Sequence, residues 1–493
     1  MESSIIHRLF LEGTTLLITG ATGFLAKLLV EKILHDQPNV KKLYLLIRAS
    51  DDNSARERFA HEVMMTELFN VIREKMGSVN LCSLVEEKVF AISGDVSHED
   101  MGIKNSHLRD NMRKEIDIII NSAATINFDE RYDIAMDINV VGAMNVLKFA
   151  KSCTKLKMLL HVSTAYVCGK STGVLSEKPF LMGETLNKHS FLNMDLERGV
   201  ISNKLKELEA QNATTKEVTI AMKELGLQRA RLHGWQNTYC FTKAMGEMLL
   251  GHLKENLQLV IIRPTIITST YKEPFSGWIE GVRSVDSFIL AYGKNILKFI
   301  IGDPESKLDV IPGDMVVNSI LAAILAHKNK YSQEIVIYHV GSSSRNPVKI
   351  AEVILFTFKY FRQNPWVNKD GKTIKVRKPM RSFSSMASYR KYISTHYLPL
   401  LKMVKFMNIM SFHSIDKIYI NMKRKIYKTI RLSELFEPFM FFYGRFDDVN
   451  TNKLRLAMKA INMDQVLYFD PRCIKWEDYF ISTHFPGAVK YLT

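Results

Sequence analysis

The chain has 493 residues, 46% of them hydrophobic and 24% charged, enough apolar content for two or three domain cores and too little glycine and proline for a fibrous or low-complexity protein. No run of about 18 uncharged apolar residues occurs, so no membrane-spanning helix is expected, and the five cysteines (Cys82, Cys153, Cys168, Cys240, Cys473) are scattered without metal-ligand spacing, as reduced thiols facing the cytosol would be. The net charge of +16 belongs to one segment: Lys359 to Arg431 carries 18 lysines and arginines against Asp370 and Asp416, while the rest of the chain holds 49 of each sign.

In chain order, MESSIIHRLFLEG reaches the first predicted strand within fourteen residues, so no signal or transit peptide is expected. Thr15 to Ile18 has strand composition, and Leu25 to Leu34 repeats its apolar residues at helical spacing. The glycines between them therefore join a buried strand to a helix, where a dinucleotide's pyrophosphate rests on backbone N–H groups and the positive helix end. Gly20 allows the tight turn, Gly23 the close approach, and Ala26 takes the third, helix-packing position; Thr22, Phe24 and Leu25 complete the cofactor-binding stretch. A second strand, within Lys41–Ala49, ends at Arg48. NAD-binding units usually place an acid there for the ribose 2′-hydroxyl, whereas a guanidinium accommodates a 2′-phosphate. NADPH is the expected cofactor, although Asp51 and Asp52 in the next loop leave NAD open.

A long helical stretch, Ala55 to Met76, is expected next. A third strand in KVFAISGDV then delivers Asp95, followed by Val96, to meet the adenine. The fourth strand, Ile116–Ile120, runs into Ser122, Ala123 and Ala124, small residues that let a cofactor lie against the backbone. A helix from near Tyr132 carries Asn139, and a fifth strand, MLLHVS, brings Ser163 and Thr164 to its C-terminal end. This alternation predicts an α/β fold: a Rossmann-type doubly wound parallel sheet over residues 12–345, with a helical insertion at about 170–235. Residues 346–493 are expected to form a smaller, mainly helical, basic C-terminal domain.

Carbonyl reduction needs an acid that protonates the oxygen at neutral pH, and a tyrosine does so when a nearby ammonium lowers its pKa. Tyr-x-x-x-Lys puts both groups on one helical face, and three such pairs occur: Tyr166/Lys170, Tyr239/Lys243 and Tyr419/Lys423. Gly169 makes a helix after Tyr166 doubtful, and Tyr419 lies in the basic segment. Tyr239 opens a helix followed by a sixth strand, LQLVIIRP, a βαβ position beside the fifth strand, so Tyr239 and Lys243 are assigned as catalytic. Cys240 reads as a packed thiol. Beyond the sixth strand, the basic segment 359–431 interleaves lysines with aromatic and aliphatic residues. Such a stretch suits an anionic membrane surface or an acyl chain with a phosphorylated head, and no nucleic-acid motif accompanies the charge. From the residues alone the reading stops at an NADPH-dependent carbonyl reductase. A sugar-nucleotide epimerase or dehydratase would share the Rossmann half but rarely needs the basic third, and a cofactor-binding sensor would lack Tyr239 and Lys243.

The constellation Gly20-x-x-Gly23-x-x-Ala26, Asn139, Thr164 and Tyr239-x-x-x-Lys243 resembles the extended short-chain dehydrogenase/reductases. More narrowly, NVKKLYLLIRA, NSAATINFDERYD, HVSTAYVCGK, RPTIITSTYKEPFSGWIEG, YHVGSS, FDDVNTNKLR and WEDYFISTHFPG, in this order, resemble the plant-type alcohol-forming fatty acyl-CoA reductases nearly end to end. A departure from shorter relatives is the roughly 75-residue interval between Thr164 and Tyr239. The resemblance implies four-electron reduction of a long-chain fatty acyl-CoA to a primary alcohol, with no metal. Thr164 and Tyr239 would hold the oxyanion, Lys243 the nicotinamide ribose, Asn139 a water linking Lys243 to solvent, and Pro264 would flank the nicotinamide. An alternative is a reductase that stops at the aldehyde. The lipid substrate and the basic segment together predict peripheral attachment to the cytosolic face of the endoplasmic reticulum.

Overall fold

Seven parallel strands build the central sheet of this computed structural model, which describes residues 9–188, 190–282, 284–368 and 370–493. The expectation of no leader concerns residues 1–8 and lies outside the described residues, as does Lys369 of the basic segment. The strands are β1 (Thr15–Thr19), β2 (Lys42–Ile47), β3 (Val89–Ser93), β4 (Ile118–Asn121), β5 (Met158–Val162), β6 (Leu259–Pro264) and β7 (Val336–Val340), in the order β7-β6-β5-β4-β1-β2-β3. They read as near-continuous apolar runs because helices cover both faces, and Leu16, Leu17, Ile18, Ile118, Ile119 and Ile120 are all fully buried. Strand order reverses between β1 and β4, and the crevice beyond the strand C-termini there is the ligand position of such sheets. The register sets Thr19 opposite Asn121 and Asn121 opposite His161.

Helices α1 (Phe24–Asp36), α2 (Gly142–Ser152), α3 (Met194–Ala210), α4 (Thr215–Leu232), α5 (Thr238–Leu253) and α6 (Gly313–His327) follow the expected alternation. One expected element is broken. In place of a continuous helix over Ala55–Met76 the chain forms a helix at Asp52–Phe59, a π turn at Ala60–Met64, a 3₁₀ turn at Glu67–Phe69 and a helix at Asn70–Met76. Its buried residues explain this: Phe59 and Val63 are four apart, but Leu68 follows five later, too far around a straight helix to share their stripe. The insertion consists of α3 and α4, joined by a turn and started at α4 by a capping box between Thr214 and Glu217. Glu197 of α3, 1% exposed, accepts from Tyr132 at 2.8 Å and from the Arg229 guanidinium Nε at 3.0 Å, which fastens the pair to the sheet's helical layer.

The C-terminal third is knit into this frame. Gly444–Phe446 pairs in parallel with Gly173–Leu175 of the insertion, and Trp476, Tyr479, Phe480 and Phe485 enter the principal core. His484, fully buried, lies 3.1 Å from Ser269 Oγ and 3.0 Å from Asp286. That trio is enclosed, so it binds the tail to the loop at Ser269 and the helix that carries Asp286 rather than reaching a substrate. The later part of the basic segment forms α7 (Leu398–Met410) and most of α8 (Asp416–Met440), an antiparallel hairpin over a small core of Phe299, Phe383, Tyr389, Leu401 and Ile426; α9 (Val449–Ala460) then returns to β7 and α6.

Candidate active site

The turn between β1 and α1 admits only glycine at its start. Gly20 has φ +70°, and a Cβ there would stand 2.9 Å from Cα and N of Ala123. The small residues after β4 are therefore pressed against the turn. Gly23 is the N-cap of α1; no side chain caps this helix and its first turn holds no acid, which leaves its positive end for an anion. Phe24 stacks on Trp278 at 5.1 Å and Leu25 joins the principal core, so both can serve a ligand only through backbone; Thr22 is half-buried in the turn.

At the end of β2 Arg48 is exposed, and no ion pair engages it among the described residues. Each of the two acids in the next loop accepts a backbone N–H. Asp51 caps the next helix by accepting from Ser54 N–H at 2.8 Å, and Asp52 accepts from Ser93 N–H at 2.8 Å. Asp95, at the exit of β3, accepts from Ser97 N–H at 2.9 Å and Ser97 Oγ at 2.8 Å. Val96 is buried against Gly142, where a Cβ would stand 2.8 Å from its Cγ2.

Helix α5 starts at a cap, with Asn237 Oδ1 accepting from Cys240 N–H at 2.8 Å, and turns Tyr239 and Lys243 onto one face. Lys243 is 1% exposed, and its Nζ donates to Val162 O at 2.8 Å, fastening that face to the end of β5 beside Ser163 and Thr164. Burial lowers the Lys243 pKa to about 8, against an opposing pull from Glu247. Tyr239 is half-buried and stacks on Phe128 at 5.7 Å, and Phe128 stacks on Phe439 of α8 at 4.9 Å. Thr164 Oγ1 accepts from Tyr166 N–H at 3.3 Å, so its O–H is still available as a donor. Ser163 Oγ is buried without a hydrogen-bond partner among the described residues, an orphan at the strand end where a ligand is expected. Pro264 is the buried last residue of β6, opposite Val340.

Asn139 uses both ends of its side-chain amide within the protein. Its Oδ1 accepts from Thr125 N–H at 3.0 Å, and its Nδ2 donates to Thr242 Oγ1 at 3.0 Å and to Thr125 O at 3.2 Å. These bonds fasten the loop after β4 to α5. Tyr166 is walled in by Phe439, Phe442 and Phe446, and burial pushes its phenol pKa far up. Cys240 is fully buried with its thiol pKa raised by burial, as a packed thiol should be.

Three further residues act behind Lys243. Thr19 Oγ1 accepts from Ser122 N–H at 3.2 Å and Ala123 N–H at 3.1 Å, so its own O–H donates to Asn121 Oδ1 at 2.7 Å. Asn121 therefore turns its NH₂ to His161 Nδ1 at 3.1 Å, and the ring proton falls on Nε2, 3.2 Å from Lys243 Nζ. A donor aimed at an amine opposes its protonation, in the same direction as burial. The clue in the sequence is a histidine and an asparagine at matching places in otherwise apolar strands. For Phe128, which stacks on Tyr239 from a loop, no local signal exists.

A glycine cradle at the β1 end and a Tyr–Lys face at the β5 end define the class: a nicotinamide-dinucleotide-dependent oxidoreductase on a Rossmann sheet. Residues 18–320 match a family model described as "Male sterility protein", an NAD-binding one, and residues 395–493 match a second model with the same description. The chain is 47% identical to "Alcohol-forming fatty acyl-CoA reductase" of Simmondsia chinensis, over 98% of each chain. It is 49% identical to "Fatty acyl-CoA reductase 1" of Arabidopsis thaliana, over 100% of this chain and 99% of the other. The chain belongs to the fatty acyl-CoA reductase family. Among solved structures, the terminal R domain from the myxalamid PKS-NRPS pathway superposes with a TM-score of 0.60 at 16% identity, covering 97% of this chain and 91% of that one. A reductase (R) domain of a non-ribosomal peptide synthetase from Mycobacterium tuberculosis gives 0.57 at 16% identity, covering 100% and 95%. At that identity the likeness shows the fold alone.

Proposed function

We propose that this enzyme reduces a long-chain fatty acyl-CoA to the primary alcohol and free CoA, with NADPH as reductant, at the cytosolic face of the endoplasmic reticulum. The observation that carries the reading is the Tyr239–Lys243 face bonded to the end of β5 beside Thr164, in a chain that matches fatty acyl-CoA reductases from end to end. The residues present fit a dinucleotide: the turn Gly20–Gly23 and the start of α1 for the pyrophosphate, Arg48 for the 2′-phosphate, Asp95 and Val96 at the adenine, and Ala123, Lys243 and Pro264 toward the nicotinamide end. When bound, the nicotinamide of one NADPH would supply hydride to the thioester carbon, and that of a second NADPH, taken up after the oxidised cofactor leaves, would supply hydride to the aldehyde carbon.

The chain's own residues handle charge and protons. Lys243 shares the helical face of Tyr239, and an ammonium beside a phenol eases loss of its proton, which suits Tyr239 to protonate an alkoxide. Thr164 and Tyr239 O–H groups donate to the oxyanion that forms at the thioester carbon, and collapse of that centre expels CoA thiolate. The aldehyde meets the same two donors. No helix among the described residues is long and apolar enough to cross a membrane, and the basic segment attaches the enzyme peripherally, at about 1 kcal/mol per surface-proximal Lys or Arg.

Purified protein incubated with acyl-CoAs of different lengths and NADPH, followed by identification of the lipid product, tests the reading. Fatty alcohol and free thiol are expected. No reduction of any acyl-CoA would overturn it, and aldehyde as the sole end product would overturn the second reduction.

A further inference from the structure

The hairpin of α7 and α8 has an unusual tip. Phe412, in the turn between the helices, is 94% exposed, and Phe406, Ile409, Met410, Ile418 and Ile420 around it are each more than half exposed. A monomer rarely shows water a contiguous apolar crown of this kind without using it. Structure in the turn holds it there. Phe412 and His413 both take left-handed backbone, φ +51° and +65°, and buried Asn408 pins the turn, its backbone O accepting from His413 N–H at 2.8 Å and its side-chain amide donating to Asp416 at 2.6 Å. Asp416 is the only carboxylate between Leu398 and Arg431, and Asn408 and His413 engage it, so no unpaired anion stands near the crown.

Behind the crown lies a collar of cations. Lys402, Lys405, Lys423, Arg424 and Lys425 are exposed and carry no ion pair among the described residues. At about 1.5 Å per helical residue they stand roughly 8–14 Å back from the turn. An interfacial helix buries its apolar face about 5–10 Å into the headgroup boundary, which would bring this collar level with the lipid phosphates. The same α8 carries Phe436 and Phe439 at its other end, both packed on Phe128, the ring that stacks on Tyr239.

We propose that the hairpin tip, Phe406 to Ile420, inserts into the outer leaflet of an anionic bilayer, the cationic collar binding its phosphates and α8 running from the bilayer to the aromatic wall of the active site. Charge complementarity selects the occupant: an apolar crown whose unpaired charges are all cations matches anionic lipid better than a protein groove, which would need apolar and acidic groups in register. Insertion does not depend on the acyl-CoA reading.

Two full-length variants separate the contributions. Phe406→Ser with Phe412→Ser removes the two rings of the crown, and Lys402→Gln with Lys405→Gln, Lys423→Gln, Arg424→Gln and Lys425→Gln removes the collar. Co-sedimentation with phosphatidylcholine/phosphatidylserine vesicles is measured at about 0.1 M and about 1 M salt, where the screening length falls from about 10 to 3 Å. Wild type should bind at both, more weakly at high salt. The crown variant should lose roughly a hundredfold in affinity and all salt-resistant binding, while keeping NADPH affinity and turnover of a soluble short-chain acyl-CoA. The collar variant should lose only the salt-sensitive part. Phe412→Trp, which keeps an apolar ring, should bind as wild type, shift its emission to the blue and be quenched by brominated acyl chains. Crown variant and wild type sedimenting alike at high salt, indole emission of Phe412→Trp that brominated lipid leaves unquenched, or a wild-type dimer that Phe412→Ser dissociates would each overturn the proposal. Vesicle binding with no acyl-CoA reduction would instead overturn the acyl-CoA reading and leave insertion standing.

Discussion

Replacing Arg48 by Asp tests how the cofactor is chosen. Arg48 stands exposed past the end of β2, where the ribose 2′ position of a dinucleotide falls, and the neighbouring acids already serve backbone N–H groups. A charge-assisted bond to phosphate contributes about 1.5–3 kcal/mol, and solvent exposure places this one toward the lower figure. Asp adds repulsion between a carboxylate and a 2′-phosphate, so KM for NADPH should rise about ten- to a hundredfold. KM for NADH, which lacks that phosphate, should stay within about threefold or fall, since Asp can accept from a ribose hydroxyl. Initial rates with each cofactor at saturating acyl-CoA give both constants. Arg58 is the nearest competitor, but it donates to the Arg48 carbonyl and pairs with Glu62 at 2.6 Å. Equal effects on both cofactors, or loss of NADPH preference in Arg58→Asp and not in Arg48→Asp, would refute the reasoning.

Two other perturbations follow from buried groups. Glu31 of α1 is 1% exposed, and burial raises its pKa to about 8; since its unfolded value lies near 4.5, the folded state holds the extra proton between these limits and stability falls as pH rises through that window. Glu31→Gln should therefore raise thermal stability by about 3 kcal/mol at pH 7 and by almost nothing at pH 4.5, and an equal gain at both pH values by calorimetry would contradict this. Asn121→Asp would accept from both Thr19 and His161, move the ring proton to Nδ1 and turn a lone pair toward Lys243. The alkaline limb of kcat/KM, set by Lys243 losing its charge as pH rises through about 8, should move up by about one to two units, and an unmoved limb would sink the relay.

What could be read from the sequence was local. The β1 turn, the strand ends and the Tyr239–Lys243 spacing each depend on a few neighbouring residues, and the segregated charge is visible by counting. Contacts made at a distance were not legible. Nothing near Asp52 reveals that the Ser93 N–H meets it, and nothing near Asn139 reveals that Thr125 and Thr242 bond its amide. The strand pairing of Gly173–Leu175 with Gly444–Phe446 joins segments about 270 residues apart, both too short for a periodic signal. Apolar residues in α7 could equally have faced a core, and only the packed hairpin leaves Phe406 and Met410 outside it.

The central claim is that Tyr239 supplies the proton from a face positioned by Lys243, and Tyr239→Phe tests it most directly because the ring stacked on Phe128 is kept and only the hydroxyl is lost. NADPH affinity is measured by fluorescence titration, and alcohol formed from acyl-CoA by product analysis, for this variant alongside Tyr166→Phe. The account predicts that Tyr239→Phe binds NADPH as wild type does and loses activity by about a hundredfold or more, whereas Tyr166→Phe stays active. Tyr239→Phe turning over normally, or Tyr166→Phe showing the selective loss in its place, would contradict it.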